Sequence, residues 1–364
     1  MANRIILNMI VRNEGKIIER AIASARPIID AVSICDTGSD DDTGDKVGGL
    51  LRAGLPGQLH EHVWINFGEN RSLSFDECVA TAQGLGYALD RTWALLLDAD
   101  MQLCVNPAFN KEALCETSYN MKQVHHGAFG YYNARLLRLD QPWRCVGVTL
   151  EYWEGGCGAA HKMDMLSIND MGDGGCKQDK FGRDARLLSD GLEREPDNTR
   201  YMFYLAQTYR DMGQTRQANE LYRQHSRSGA WDEERWFSMM QVGLGADTFD
   251  DKRAWLLKAY EFRPQRAEPL YHLADICRLG GMHNSAVLFA KAALAIPYPE
   301  NDVLFISQDV YDYKSLFVLS VSAYYTTFRA DGRAACEQLL VMPSLPDDLM
   351  ATTKKNATFY DIIV

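Results

Sequence analysis

The stretch that decides the fold is residues 93–100, which read Trp-Ala-Leu-Leu-Leu-Asp-Ala-Asp. The apolar run Trp93–Leu97 predicts a buried strand, and Asp98 and Asp100 follow it directly. In a parallel α/β sheet ligands bind at the carboxyl ends of the strands, so these carboxylates stand where a site is expected. Two carboxylates this close repel each other, and a divalent cation bound to substrate phosphates relieves that repulsion. A solvated turn after a strand is the alternative interpretation.

Upstream, short apolar runs alternate with amphipathic helical stretches. Strands are predicted at Ile5–Val11 and Ala31–Cys35, and a helix is predicted at Glu14–Ala25. Together with the strand at Trp93–Leu97, this alternation indicates βαβ units in a mainly parallel sheet, which is an α/β fold. The Gly-rich segment 154–182 is too long for an ordinary connection and predicts an irregular functional loop or lid.

Polar turns also follow the first two predicted strands. Arg12–Gly15 comes after the first strand, and the Asp-rich segment Asp36–Thr43 comes after the second. Carboxylates in such turns can accept hydrogen bonds from a nucleotide base or from ribose hydroxyls. Gly38 permits close approach of the backbone, and Ser39 or Thr43 can cap a following helix. A capped helix start and a solvated acidic turn are the structural alternatives for the two segments.

The second half of the chain repeats itself. Four features recur 68 residues apart, which is twice 34, and they are Pro196 with Pro264, Leu205-Ala206 with Leu273-Ala274, Gly213 with Gly281, and Ala218 with Ala286. A 34-residue period with small residues at fixed helix positions is the tetratricopeptide pattern. The sequence therefore predicts an α/β domain over residues 1–185 and an all-α, tetratricopeptide-like helical repeat domain over residues 186–364. A generic helical bundle is the alternative for the second domain.

Composition restricts the classes of partner and compartment. The formal net charge of −11 argues against broad electrostatic binding to nucleic acid. No apolar run approaches the roughly 20 residues that span a bilayer, and no signal-peptide pattern is present, so a cytoplasmic location is expected. The nine cysteines are scattered without a C-x-x-C pair, which indicates reduced thiols in place of a disulfide framework or a zinc site.

Taken in order, the motifs resemble one enzyme family. Strands followed by Val11–Glu14, by Asp36–Asp41 and by Asp98–Asp100 resemble the family 2 glycosyltransferases of the GT-A fold. Trp64–Arg71 is similar to the aromatic segment that precedes the donor-site helix of this family. Gly172–Asp184 is similar to a subgroup with tetratricopeptide C-termini. The resemblance spans the whole chain and implies metal-dependent, inverting transfer of a sugar from a nucleotide-diphosphate donor, with UDP-glucose as the default.

The resemblance assigns roles to individual residues. The implied donor-binding residues are Arg12, Asn13, Glu14, Asp36, Asn70, Arg71, Asp98, Lys180 and Arg183. Asp36 is the implied partner of the uracil, and Asp98 faces the ribose and the metal. Asp100 is implied to coordinate the Mn²⁺ or Mg²⁺ that bridges the diphosphate. This cation, together with Arg71 and Lys180, offsets the charge of the ligand and stabilises the leaving nucleoside diphosphate.

An inverting transferase also needs a general base that deprotonates the acceptor. Glu151 is the candidate because Tyr152 and Trp153 follow it and can stack on a sugar; an ordinary strand residue is the alternative. Asp100, through its cation, is the second catalytic residue. Family members often carry a histidine immediately before this glutamate. This chain has Leu150 at that position. The resemblance therefore leaves open how strongly a metal binds and whether the enzyme is active. His161 is the candidate substitute as a metal ligand.

Two other functions stay open. A nucleotidyltransferase would need a Gly-rich basic phosphate loop near the first strand, and Arg12–Gly15 offers one glycine and one cation. A catalytically degenerate GT-A/repeat protein that acts as a partner-binding scaffold is favoured by Leu150 and opposed by the intact Asp98 and Asp100. The repeats predict a protein or peptide acceptor. A glycan, a lipid head group and a modified viral DNA base are the alternatives.

Overall fold

The chain forms two compact units. The computed structural model describes residues 2–125, 129–174 and 179–363. The units are Met1–Gly191 and Leu192–Val364, and the domain boundary predicted between residues 185 and 186 lies inside a helix, Lys180–Arg194. Within the described ranges, no helix combines the length and the apolar composition that a membrane crossing requires.

The first unit is built around one large sheet. Its strands are β1 (Arg4–Val11), β2 (Ala31–Asp36), β3 (Gly57–Glu61), β4 (Thr92–Leu96), β5 (Met101–Val105), β6 (Ser118–His125), β7 (Phe129–Arg138), β8 (Arg144–Val146), β9 (Tyr152–Glu154) and β10 (His161–Asp170). Its helices are α1 (Ile18–Ala25), α2 (Thr43–Arg52), α3 (Phe67–Gly84) and α4 (Lys180–Arg194). Eight strands pair in the order β3-β2-β1-β4-β7-β6-β10-β5, and β8 and β9 form a separate hairpin.

The sheet is mixed. Strands β3, β2, β1 and β4 are parallel neighbours. In the other half β7 is antiparallel to both β4 and β6, β5 is antiparallel to β10, and β6 is parallel to β10. The prediction of a mainly parallel sheet is therefore wrong for this half. Three residues separate β6 from β7. A connection that short joins antiparallel strands, because a parallel crossover needs about a dozen residues.

The central strands are buried on both faces. All six residues of β2 and all five of β4 are buried, which explains why their sequences are mostly apolar and do not alternate between apolar and charged residues. The helix α1 covers one face through Ile18, Ala21 and Ile22, which recur at helical spacing. The helix α3 covers the other face through Phe75 and Cys78.

Two local predictions differ from the structure. Helix α1 begins at Ile18 and not at Glu14, because Glu14 N–H donates to Thr43 Oγ1 and the Glu14 carbonyl accepts from Ile17 and Ile18. These bonds form a turn that ties β1 to the start of α2. The segment 154–182, predicted to be irregular, contains β10, which pairs with strands on both sides. Residues 175–178 of the Gly-rich motif lie outside the described residues.

The second unit is helical, and residues 192–363 contain no strand. Its helices are α5 (Thr199–Asp211), α6 (Thr215–His225), α7 (Asp232–Leu244), α8 (Phe249–Phe262), α9 (Glu268–Leu279), α10 (His283–Leu294), α11 (Ser315–Ser322), α12 (Arg329–Leu340) and α13 (Asp347–Ala357). Helices α5 to α10 pair as three consecutive hairpins. Their second helices begin at Thr215, Phe249 and His283, which are 34 residues apart. The middle hairpin thus keeps the period although its sequence has lost the pattern.

The repeated small residues have structural reasons. Gly213 and Gly281 lie between the two helices of their hairpins with φ of +74° and +71°. Glycine is favoured there because other residues pay a steric cost for this backbone conformation. Ala206, Ala274 and Ala286 are fully buried where neighbouring helices pack. The period in the sequence therefore reports helix packing.

Candidate functional site

A cleft of about 780 Å³ lies at the carboxyl ends of β1 and β4. Its acidic lining residues are Glu14, Asp98, Asp100, Glu151 and Asp170, and its basic lining residues are Arg12, Arg71, Arg135, Lys180 and Arg183. Aromatic rings complete the wall, namely Trp64, Phe67, Tyr131, Tyr132, Tyr152 and Trp153. The acids and bases are equal in number although the whole chain carries a net charge of −11. The cleft therefore concentrates the cations that an anionic ligand needs.

Arg71 joins two of the carboxylates. Its Nε donates to Glu151 Oε1 at 2.7 Å, and its Nη2 donates to Asp98 Oδ1 at 2.7 Å. The side chains of Arg71, Asp98 and Glu151 are 16%, 27% and 17% exposed, so these bonds form largely away from water. Burial disfavours the charged guanidinium, but the two carboxylates outweigh it and raise the pKa of Arg71 above its ordinary value. Arg71 is thus a permanent cation between two acids.

The β8–β9 hairpin brings Glu151 to Arg71. Its turn, residues 147–151, packs on the first turn of α3, where the Gly68 N–H donates to the Gly147 carbonyl at 3.0 Å. A Cβ at Gly68 would lie 2.5 Å from that carbonyl oxygen, so only glycine permits this approach. Arg71 lies about one helical turn after the contact, which places its side chain beside Glu151.

Leu150, where the resemblance leads one to expect a histidine, has an unusual backbone. Its φ is +52°, and 41% of the residue is exposed. A non-glycine residue in the left-handed region stores strain of about 1 kcal/mol. Leu150 is not among the residues that line the cleft, whereas the next residue, Glu151, is. In this conformation position 150 therefore contributes no side chain to the cleft.

A second polar network extends from Asp98 across the sheet. Arg135 Nη1 lies 3.8 Å from Asp98 Oδ2, and Arg135 Nη2 donates to Gln123 Oε1 at 2.7 Å. Gln123 Nε2 in turn donates to Asp170 Oδ2 at 3.0 Å. The three neighbouring strands β7, β6 and β10 contribute one residue each. Sequence reasoning missed Arg135 and Gln123, and the one available signal was an arginine directly before the apolar pair Leu136-Leu137.

The carboxylates of Glu14 and Asp100 approach each other across Gly174. A Cβ at Gly174 would lie 3.3 Å from both Glu14 Oε1 and Asp100 Oδ2, so the two oxygens are no more than twice that distance apart. Among the described residues, no group of three His, Cys, Asp or Glu side chains is arranged to hold a metal ion. Mg²⁺ is commonly held by one or two carboxylates plus substrate phosphates, and Asp100 would provide one ligand of such a site.

The structure brings together eight of the twelve predicted site residues. Those that line the cleft are Arg12, Glu14, Arg71, Asp98, Asp100, Glu151, Lys180 and Arg183. The four that do not line it are Asn13, Asp36, Asn70 and His161. Each of these four has other contacts in the structure.

Asp36 and Asn13 shape the loops at the ends of β1 and β2. Asp36 Oδ1 accepts from the N–H groups of Gly38 and Ser39 at 3.0 and 2.8 Å, and the residue is 8% exposed. Asn13 Oδ1 accepts from the Asp40 N–H at 2.9 Å, and Asn13 N–H donates to Ser39 Oγ at 2.9 Å. Asp36 is therefore a structural residue of the turn as well as a predicted base contact. Its contact with a uracil stays a prediction.

Asn70 organises the entry to α3. Its Oδ1 accepts from the N–H groups of Ile65 and Asn66 at 2.8 and 3.2 Å, and its Nδ2 donates to the Val63 carbonyl at 3.0 Å. The residue is 1% exposed. Backbone groups thus occupy both atoms of its amide, which gives Asn70 a structural role, and its contact with a donor stays a prediction.

His161 lies outside the cleft. Its Nε2 is 3.5 Å from Glu116 Oε2, and the two side chains are 52% and 42% exposed. The preceding residue, Ala160, lines the cleft. His161 itself is not among the lining residues. Its metal-ligand role stays a prediction.

No cysteine of the described residues lines the cleft. Burial raises the pKa of Cys145, which lies beside Arg71, to about 12. The thiolate is the reactive form, so this cysteine is inert at neutral pH. The eight cysteines within the described ranges are all free, as the scattered spacing predicts.

Solved structures of low sequence identity resemble part of this chain. Neither a protein-family model nor a curated protein matches this chain. Among solved structures, the MamA protein is 14% identical, with a TM-score of 0.35 over 51% of this chain and 88% of that one. YrrB, described as a TPR protein with an unusual peptide-binding site, is 14% identical over 48% and 84%, with a TM-score of 0.36. TTC0263, a TPR protein of Thermus thermophilus, is 15% identical over 49% and 93%, with a TM-score of 0.31. Similarities at this level do not establish a function.

Proposed function

We propose that the first unit is a glycosyltransferase that moves a sugar from a nucleotide-diphosphate donor to an acceptor. The donor is a UDP-sugar, with UDP-glucose as the first choice. The observation that carries the proposal is the convergence of Asp98 and Asp100, at the end of β4, with Arg71 and Glu151 in one cleft. The ends of parallel strands are where α/β sheets bind ligands. Carboxylates, cations and aromatic rings meet there at the same place.

The donor diphosphate binds between Asp100 and the beginning of α4. Lys180 and Arg183 lie in the first turn of α4 and line the cleft. The amino end of a helix favours phosphate because its N–H groups and its dipole are positive. Arg183 also lies 4.9 Å from the centre of the Phe67 ring, which limits the positions its guanidinium can take.

Glu151 serves as the general base. Arg71 occupies its Oε1, and a carboxylate has further acceptor positions for an acceptor hydroxyl. In the transfer, the bond from the acceptor oxygen to the anomeric carbon forms while the bond from that carbon to the phosphate oxygen breaks. The acceptor proton passes to Glu151, and the nucleoside diphosphate leaves with the bonding electrons. Tyr152 and Trp153 follow Glu151 directly and line the cleft, so they can pack against a sugar ring.

A divalent cation, Mn²⁺ or Mg²⁺, fits the cleft only together with a substrate. Asp100, with Glu14 nearby and phosphate oxygens from the donor, would hold it, while Arg71 already pairs with Asp98. Bound there, the cation supplies positive charge next to the leaving diphosphate.

We expect UDP to bind about ten-fold more tightly with Mn²⁺ or Mg²⁺ than with EDTA, which corresponds to about 1.4 kcal/mol. Calorimetry measures both affinities. Asp100→Asn should remove the difference, whereas Asp76→Asn, at an exposed pair with Arg144, should keep it. Equal affinity with and without the cation would contradict a role for the metal in donor binding. Arg71 and Lys180 would then be the groups that supply the binding energy.

A panel of sugar nucleotides tests the function itself. Purified protein is incubated with each donor, and the released nucleoside diphosphate is measured with Glu151→Gln as the inactive control. We expect release from one UDP-sugar above the control. Release of pyrophosphate from a nucleoside triphosphate and a sugar phosphate would identify a nucleotidyltransferase. Failure of every donor to bind would overturn the proposal.

A partner-binding scaffold without catalysis is the second candidate. The observation that favours it is the closed pairing of Arg71 with both Asp98 and Glu151, because these carboxylates then already have a cation inside the protein. In this case no nucleotide binds, and the helical unit carries the function through a protein or peptide partner. The donor panel and the calorimetry separate the two candidates.

A further inference from the structure

A non-helical segment of the second unit lies across its own repeats. Residues 302–307, between α10 and α11, contain neither helix nor strand. Phe305 packs on two different hairpins, with its ring centre 4.7 Å from that of Phe237 in α7 and 6.5 Å from that of Phe203 in α5. The segment therefore covers a face that the first helices of successive hairpins share.

Side chains of this face bind the backbone of the segment. Glu233 Oε2, in α7, accepts from the N–H groups of Val303 and Leu304 at 2.9 and 2.7 Å. Arg266, directly before α9, donates to the carbonyls of Leu304 and Phe305 at 3.1 and 3.2 Å. Four backbone groups within three residues thus find side-chain partners. Side chains can satisfy the backbone hydrogen-bonding groups of a peptide in this way when the peptide joins neither helix nor sheet.

Two side chains anchor the segment. Asp302 is 8% exposed, and Arg263 and Arg266 hold its carboxylate at 2.5 and 3.3 Å. Phe305 supplies the apolar anchor. The recognised pattern is therefore an aspartate three residues before an aromatic residue, on a backbone that forms neither helix nor strand.

The face itself is made of buried charges. Arg266 and Glu268 are fully buried and lie 2.7 Å apart, Glu233 is 5% exposed, and the guanidinium of Arg266 lies 3.8 Å from the centre of the Trp236 ring. Buried charges need partners, and the segment supplies several of them. A face of aliphatic side chains would be enough to hold a permanently bound segment, without buried charged groups. The chemistry of the face is that of a recognition surface.

The occupant is strained and incompletely covered. Phe305 has φ of +47° and is 46% exposed, and Val303 is 76% exposed. Left-handed backbone at a non-glycine residue costs free energy. A separate peptide that offers the same anchors without this strain competes with the segment. The covalent attachment of the segment opposes this competition, because an attached segment has an effective concentration in about the millimolar range.

We propose that the face formed by α5, α7 and the start of α9 is a peptide-binding site and that residues 302–307 are its resident, displaceable occupant. The partner is a peptide with aspartate three residues before phenylalanine or another aromatic residue. The segment keeps the site closed until such a peptide, or a change in the segment, opens it. This adds a regulated interaction surface to the sugar-transfer site of the first unit.

The probe is a fluorescein-labelled peptide of residues 299–308, Pro-Glu-Asn-Asp-Val-Leu-Phe-Ile-Ser-Gln. The full chain is compared with its Asp302→Ala/Phe305→Ala variant by fluorescence anisotropy. We expect the variant to bind the probe about ten-fold more tightly than the parent, because its own segment no longer competes. A probe with both anchors changed to alanine should not bind. Adding Glu233→Ala to the variant should weaken binding about ten-fold, because the oxygen that accepts from two backbone N–H groups is removed.

Equal probe affinity of parent and folded variant would overturn the proposal. If the variant loses its helical circular dichroism, hydrogen exchange on the parent chain decides. We expect the amides of Val303 and Leu304 to exchange about ten-fold faster than those of α7, because the segment opens without unfolding the helices. Exchange at the same rate as α7 would make the segment part of the permanent core. A parent dimer that the variant loses would assign the segment to a second copy and also overturn the proposal.

Discussion

Replacing Arg71 with methionine is expected to lower the free energy of unfolding by about 2 kcal/mol and to abolish nucleotide binding. The substitution leaves Asp98 and Glu151 without their shared cation in a largely buried position. Removing one partner of a fully buried pair costs about 3–5 kcal/mol, and the partial exposure of these side chains reduces that value. Urea unfolding gives the stability, and calorimetry with UDP gives the affinity.

The matched control is Arg144→Met. Arg144 pairs with Asp76 at 2.9 Å, but both side chains are more than half exposed, so the expected cost is below about 0.5 kcal/mol. Adding Glu151→Gln to the Arg71→Met variant should recover part of the lost stability, because one unpaired carboxylate becomes neutral. Equal costs for Arg71→Met and Arg144→Met would show that the cleft network contributes no more than a surface pair.

Glu151→Gln is expected to lower the transfer rate by about 100-fold or more while leaving nucleotide affinity within about two-fold of the parent. The amide oxygen still accepts from Arg71 Nε, so the geometry of the cleft is kept. The side chain can no longer take a proton from the acceptor. Product formation measured at saturating donor gives the rate, and calorimetry gives the affinity.

Glu154→Gln is the matched control, because Glu154 lies three residues further along the chain in strand β9, is exposed and does not line the cleft. It should transfer at the parental rate. A Glu151→Gln protein with that rate would remove Glu151 as the base and leave Asp170 and Asp173 as candidates. Asp170 is then the stronger one, because it lines the cleft, whereas Asp173 pairs with Arg20 at 2.6 Å.

Local sequence patterns predicted the strands that are covered on both faces and the helical hairpins that repeat. The apolar runs of β1, β2 and β4 are strands because both of their faces are covered, and the 34-residue period predicted hairpins that include the degenerate middle one. Strand β10 was not predicted. Its sequence, His-Lys-Met-Asp-Met-Leu-Ser-Ile-Asn-Asp, has few buried residues, and pairing with β6 and β5 makes it a strand.

The candidate site was predicted in part for the same reason. Asp98 and Asp100 stand out because they end a buried strand, and their neighbourhood follows from the position of that strand in the sheet. Asn70 resembled a ligand-binding residue in the sequence, yet its amide binds backbone groups that come close only after α3 has formed. Arg135 was missed because nothing within its own strand reveals that it approaches Asp98, which follows the neighbouring strand β4.

The sequence by itself determined the periodic features: the buried parallel strands, the helical hairpins, and the carboxylates that follow β4. These depend on contacts between residues near each other in the chain or on a regular spacing, so they are visible in one dimension. The tertiary structure alone decided which partners each buried charged side chain binds. Arg71 meets Asp98 and Glu151, and Arg266 meets residues 302–305, across long separations in sequence. Such pairs form because burial leaves a charged group no solvent partner, and the fold selects which partner it finds.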